Sequence, residues 1–176
     1  MQTESATENY LVRPGDKDDI VRLETLWLEF YEDQKRLGMR LEIPTDAFRH
    51  WADSYAPILG RFGCLFVIEK DNELIGFLTG RIRSLPPHFG GSQAGFITDV
   101  YVAEPHRAHG LGRKLVLFAT NWFKELGLQR IELQVVSGNT PALNFYRRLG
   151  WSEELVQMVW EPAPTDEHNQ PGNHTE

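Results

Sequence analysis

At 176 residues the chain has room for one domain and too little for two independent catalytic ones, since compact domains run about 100–150 residues. Hydrophobic residues make up 41%, with 10 Phe, 5 Trp and 5 Tyr, which excludes a disordered or collagen-like chain. Its 18 Lys and Arg against 25 Asp and Glu give a net charge of -7, which disfavours a wide grip on nucleic acid and suits a cationic partner. The single Cys64 excludes an internal disulfide framework and multi-cysteine metal sites. No run approaches the roughly 18 apolar residues of a membrane span, and MQTESATENY lacks a secretory leader's pattern, so the expectation is a cytoplasmic protein without membrane partners.

Residues 1–8 and the fourteen residues after Pro162 are polar and small and read as mobile ends around one domain at 9–162. Tyr10 to Arg13 reads as a strand. Asp16 then caps a helix with Ile20, Leu23, Trp27 and Phe30 on one face, running to about Gln34. A second helix follows Thr45 as its cap and buries Phe48, Trp51, Ala52 and Tyr55. From Cys64 the pattern is a hairpin: a strand to Glu69, a turn at Asp71-Asn72, and a strand from Leu74 to about Ile82. Residues 84–92 form a loop, and Gly95–Val102 a third strand of this region. The stripe Leu111, Leu115, Phe118, Ala119, Trp122, Phe123 and Leu126 marks the longest helix, ended by Gly127. A strand at Ile131–Val136, a helix from Pro141 to Leu149 and a last strand at Gln157–Glu161 complete the order βααβββαβαβ. That order describes an α/β mixed sheet with helices on its faces.

The first chemically informative stretch is Arg107-Ala108-His109-Gly110-Leu111-Gly112-Arg113, between a strand end and the start of the longest helix. Glycines there admit close approach to backbone, and the first N–H groups of a helix are unpaired donors backed by the macrodipole. Together they suit an anion such as a pyrophosphate, with Arg107 and Arg113 adding positive charge. A plain tight turn explains the two glycines equally well. The dinucleotide and P-loop patterns fail, for want of a third glycine and of a Gly-Lys-Ser/Thr ending.

The second stretch runs from Asn139 to Trp151. Thr140 as cap, Pro141 at the helix start and Gly150 past its end bound a short helix that places Ala142, Phe145, Tyr146 and Leu149 on one face. Tyr146 is either core packing or a proton donor.

The two stretches together resemble the GNAT N-acetyltransferase superfamily. Its cofactor motif, Gln/Arg-x-x-Gly-x-Gly/Ala, stands here as Arg107-Ala-His-Gly110-Leu-Gly112. Its later Asn-x-x-Ala-x-x-x-Tyr, followed by Gly-Phe, stands as Asn139-Thr-Pro-Ala142-Leu-Asn-Phe145-Tyr146 and Gly150-Trp151. Ala108 replaces a common glycine and Trp151 the usual Phe; residues 9–84 match in element order alone.

The resemblance implies a mostly antiparallel, splayed sheet with acetyl-CoA lying in the split. Pantetheine would meet the backbone of Val100, Tyr101 and Val102; the pyrophosphate would meet residues 107–113; Asn139, Ala142, Phe145 and Tyr146 would face the cofactor. Transfer is then direct, from thioester to amine, with Tyr146 protonating the leaving thiolate. An amine must lose a proton to attack, and Asp99 is the best-placed carboxylate, directly or through water, with Glu132 as another. A strand-end Asp paired with an arginine is the competing reading of Asp99. On the acceptor side Tyr31, Glu32 and Asp33, where the first helix ends, either suit a cationic amine or form a solvated helix end.

The expectation is therefore acetylation of a small cationic primary amine. A protein lysine or N-terminus as acceptor, or CoA binding without turnover, are the alternatives. His106 and His109 lack a third ligand and read as loop polar groups near phosphate; Cys64 reads as a core thiol. Val156, Met158, Val159 and Trp160 either complete the sheet or meet a second copy in a homodimer.

Overall fold

The sheet grows from its central hairpin. In the computed structural model, which describes residues 9–162, β2 (Gly63–Lys70) and β3 (Glu73–Ser84) are joined at Asp71 and Asn72, with φ of 51° and 66°. Positive φ at both central residues gives the turn whose twist matches that of paired strands. The middle of each strand is buried on both faces, as continuous apolar runs such as Cys64–Ile68 require. β1 (Leu11–Pro14) pairs antiparallel with β2, and β4 (Gln93–Val102) antiparallel with β3. β5 (Ile131–Leu133) pairs parallel with β4, giving the order β1-β2-β3-β4-β5.

Helices cover both faces. On one, α1 (Lys17–Arg22), α2 (Glu24–Arg36) and α3 (Ala47–Tyr55) pack Ile20, Leu23, Trp27, Phe30 and Phe48 over Leu65, Val67, Phe77 and Tyr101. On the other, α4 (Leu111–Glu125) lays Leu115, Ala119 and Phe123 over Cys64, Phe66, Leu78 and Ile97, with Phe145 and Tyr146 of α5 (Thr140–Arg148) at its margin. Cys64 belongs to this core, and burial pushes its thiol up to about 12.

Several element boundaries differ from the sequence expectations. The first helix is two helices, because the buried Leu23 N–H bonds Ile20 O at 3.2 Å and tightens one turn. Thr45 is not the cap of α3: Asp46 holds that position, and its carboxylate turns to His50 at 2.9 Å instead of to an amide. At α5 the cap is Asn139, whose Oδ1 accepts the Ala142 N–H at 3.1 Å and places Thr140 inside the helix. β5 stops at Leu133, not Val136, and its ladder to β4 ends at Ile97, immediately before the β4 bulge at Thr98. Residues 157–161 are exposed and form no strand, with no backbone hydrogen bond to β5 among the described residues. The expectations for 1–8 and 163–176 lie outside the described residues.

Candidate active site

The register between β3 and β4 slips once: Thr79 faces Asp99 but Gly80 faces Ile97, so Thr98 is the extra residue of a β-bulge. Its effect is to switch faces. Ile97 points to the α4 core, whereas Asp99 and Tyr101 turn toward α2. At the same place β4 loses its other neighbour, for the ladder to β5 ends at Ile97–Leu133 while β4 runs on to Val102. Among the described residues, Thr98–Val102 thus has β3 on one edge and no strand on the other, an open edge of the kind an extended ligand can pair with.

The opened strand leads into the start of α4. Glu104–His106 makes a short 3₁₀ turn, and Gly110, at φ 71°, takes the cap position of α4 without a side-chain cap. The first helical bond is Lys114 N–H to Gly110 O, at 3.1 Å, which leaves the amides of Leu111, Gly112 and Arg113 directed out of the helix end. A Cβ at Gly112 would meet nothing nearer than the Phe145 ring, at 3.6 Å. The fold itself therefore has no need of glycine there, and the absent side chain keeps the amides open. Ala108, at φ 69°, holds a left-handed conformation without the freedom of glycine. Arg107 turns away from these amides: its Nε donates to Val102 O at 2.8 Å, and its guanidinium meets Asp33 of α2 at 2.8 Å. Arg113 instead lines a groove of about 610 Å³ between α4 and α5, with Lys124, Arg148, Phe145 and Trp151.

Asp99 is the buried charge of the site, 4% exposed. The Thr79 hydroxyl donates to its Oδ2 at 2.5 Å, the Thr98 hydroxyl lies 2.7 Å from that of Thr79, and the Tyr31 hydroxyl donates to Oδ1 at 3.3 Å. Burial raises the carboxyl above the ordinary carboxylate range, more than these donors and Arg81 lower it. Tyr31 itself is pushed up by burial and by the Asp99 charge. No arginine forms an ion pair with Asp99 among the described residues, so the strand-end salt bridge considered for it is not what the structure shows. Glu132 has that fate instead, held between Arg83 and Arg130.

Tyr146 lies against Phe145 and Trp151, with ring centroids 5.0 and 5.9 Å away. Burial alone pushes its hydroxyl up, so the group keeps its proton at neutral pH. Tyr31 and Glu32 do not converge on one point. Tyr31 reaches Asp99, whereas Glu32 lines a separate groove of about 480 Å³ with Glu29, Asp33 and Tyr101. The sequence reading missed Thr79 and Thr98 because a one-residue bulge leaves no periodic signal. It also missed Tyr10, whose hydroxyl lies 3.3 Å from His106 Nδ1 and braces the loop before α4.

The split in the sheet, the open amides at the start of α4 and the buried Asp99 beside Tyr31 are thus gathered around the C-terminal half of β4. The acetyltransferase (GNAT) family matches residues 21–151, and the chain belongs to that family. It is 30% identical over 149 residues to a mycothiol acetyltransferase of Amycolatopsis mediterranei, covering 84% of this chain and 46% of that one. To an L-ornithine N5-acetyltransferase of Arabidopsis thaliana it is 31% identical over 87 residues, 48% of this chain and 37% of that one. The chain thus spans half or less of the length of these relatives. An aminoglycoside N-acetyltransferase solved with CoA shares the fold, at a TM-score of 0.70 and 17% identity over 88% of this chain and 95% of that one.

Proposed function

We propose that the protein transfers an acetyl group from acetyl-CoA directly to a primary amine of a small cationic molecule. The observation that carries this reading is the β4–β5 split, which opens at the Asp99 bulge and leads along one unpaired edge to the amides of residues 111–113. Those amides and Arg113 would hold the pyrophosphate, and the edge of Val100–Val102 the pantetheine. Bound acetyl-CoA supplies an acetyl thioester as electrophile. Asp99, raised by burial, takes the proton of the incoming ammonium through Tyr31 or water, and Tyr146 holds a proton for the departing sulfur. Mycothiol and ornithine acetyltransferases among its relatives, and an aminoglycoside enzyme among its structural neighbours, support a small polar amine as acceptor. We read the protein as a cytoplasmic homodimer.

The decisive assay is thiol release from acetyl-CoA across polyamines, aminoglycosides, amino acids and lysine peptides. Release with one small-amine class supports the reading, release with peptides alone replaces the acceptor, and CoA binding without release anywhere overturns catalysis. Tyr146→Phe should leave the CoA dissociation constant unchanged and lower kcat about 100-fold. Full activity would reduce Tyr146 to packing. Gly112→Asp separates folding from binding: the fold has space for the side chain, and an acid in the first helical turn is favourable for the helix. Its melting temperature should hold while CoA affinity falls at least about tenfold, roughly 1.4 kcal/mol.

A further inference from the structure

Cofactor and acceptor must reach the Asp99 bulge from different directions. The open edge of β4 leaves the bulge toward Val102 and α4, and on the proposed function acetyl-CoA fills that direction. The side left for the acceptor is the opposite one, where β3 runs on from Thr79 to Ser84 beside the first residues of β4. Alternation fixes which side chains face it. Phe77 packs in the core under α2 and Thr79 bonds Asp99, whereas Leu78 and Ile82 belong to the core under α4, so Arg81 shares the face of Asp99. Phe96, opposite Arg81, and Glu132, opposite Phe96, complete that face.

Helix cover stops just short of Arg81. Tyr55, the last residue of α3, reaches Gly80 O with its hydroxyl at 2.7 Å, and Arg81 beyond it is exposed. The charges on this face are unevenly matched. Glu132 takes both Arg83 and Arg130, Arg130 also reaches Glu154, and the Arg83 guanidinium lies 4.9 Å from the centre of the Phe96 ring. Among the described residues the Arg81 side chain makes no hydrogen bond or ion pair. Burial raises both Asp99 and Tyr55, and the charge of Arg81 opposes that rise in each, which sets its guanidinium within electrostatic reach of the two. The carboxylates of Glu29, Glu73 and Glu104 line the groove at the other end of the site, beside Tyr101 and Arg107. An ammonium that comes to Asp99 over this face therefore meets an unmatched cation, unless its own molecule brings the counter-charge.

We propose that Arg81 anchors a carboxylate of the acceptor, so that the substrate class is amino acids whose reacting amine is set apart from the carboxylate by a carbon chain. This rests on the acetyl-transfer reading and narrows it. A guanidinium presents a planar fork that matches a carboxylate through two parallel hydrogen bonds. Thr79, which holds Asp99, and Arg81 stand two strand residues apart, roughly 7 Å. An α-amine, one carbon from its own carboxyl group, does not span that separation, whereas the side-chain amine of a basic amino acid does. Such a molecule carries one net positive charge, in keeping with the chain's -7. A polyamine of the same length leaves Arg81 unmatched and meets its repulsion.

Free lysine and cadaverine, which differ by that carboxylate alone, form the test pair. Turnover is read as thiol release from acetyl-CoA, and acceptor binding to the CoA complex by calorimetry. Lysine is expected to exceed cadaverine in kcat/KM and in affinity by at least about tenfold, the worth of one charge-assisted contact, with the acetyl group on the side-chain nitrogen. Arg81→Gln should bring that ratio near one, and Arg81→Lys, which keeps the charge without the fork, should leave it in between. Arg81 is exposed, so both variants should melt as the parent does. Lys17→Gln, at the exposed start of α1, removes the same charge elsewhere and should keep the parent ratio. Cadaverine equal to or better than lysine in the parent, or equal losses in Arg81→Gln and Lys17→Gln, overturns the anchor. The two readouts separate the anchor from the chemistry. Lysine bound through Arg81 without thiol release overturns catalysis and leaves the anchor, whereas turnover of cadaverine alone overturns the anchor and leaves catalysis.

Discussion

Asp99 shows how one inserted residue sets up a site. In a regular strand Asp99, two residues after Ile97, would share its face in the apolar core under α4; the bulge at Thr98 turns Asp99 toward Tyr31 instead. Burial raises its carboxyl, while Thr79, Thr98 and Tyr31 lower it, so removing a donor raises it further. A base acts when deprotonated, and the rate should therefore climb with pH through the raised Asp99 value. Thr79→Val and Tyr31→Phe should each move that acid limb to higher pH. A hydrogen bond to a charged group is worth about 1.5–3 kcal/mol, so the displacement should be about one pH unit or more. Asp99→Asn should abolish the limb along with most activity. Linkage gives a second readout. The folded chain binds the Asp99 proton more tightly than the unfolded chain, so stability falls as pH rises from the ordinary carboxylate range through the raised value. Melting profiles should show that slope in the parent protein and a flatter one in Asp99→Asn. An unmoved acid limb in all three variants would assign the base elsewhere.

At the scale of elements, α4 is positioned by what the sheet lacks. A Cβ on Gly95 would stand 2.6 Å from the Phe123 ring, and one on Gly80 3.0 Å from it, so Phe123 occupies space that these glycines leave open. The approach matters because the first turn of α4 carries the amide cradle. Gly95→Ala should force α4 outward, cost about 1–3 kcal/mol in a denaturant titration and weaken CoA binding, and Phe123→Leu in the same chain should recover part of both. Equal losses with and without the second change would show that the strand, and not the helix packing, responds to Gly95. Most elements of this scaffold were legible because periodicity reports burial: the stripe from Leu111 to Phe123, the Asp71-Asn72 turn and the two glycine-bearing motifs each mark local structure. What escaped depends on partners distant in sequence. Thr79 meets Asp99 only through the register of β3 and β4, Arg107 is drawn off the cradle by Asp33, and β5 ends where β4 bulges. Caps were misplaced by one residue where two polar residues adjoin, as at Asn139 and Thr140.

For the molecule as a whole, the charge of -7 must be reconciled with a polyanionic ligand. Charge is sorted in space. Arg113, Lys124 and Arg148 line the groove between α4 and α5, whereas Glu29, Glu32, Asp33 and Glu73 line the one beside α2. On the proposed function, acetyl-CoA would be drawn by local basic side chains and helix amides, and a cationic acceptor by the net field. The two attractions differ in range and hence in their response to salt. Screening shortens the Debye length from about 30 Å at 0.01 M to about 8 Å at 0.15 M, which removes long-range attraction before it touches direct hydrogen bonds. Across that interval KM for a cationic acceptor should rise several-fold, and KM for a neutral amine should stay flat. KM for acetyl-CoA should rise by less than that of the cationic acceptor, because the proposed site recognises it largely through backbone amides on the β4 edge and at α4. If a neutral amine showed the same salt dependence as a cationic one, net charge would have no part in choosing the acceptor, and selectivity would rest on contacts near Tyr31 and Asp99 alone.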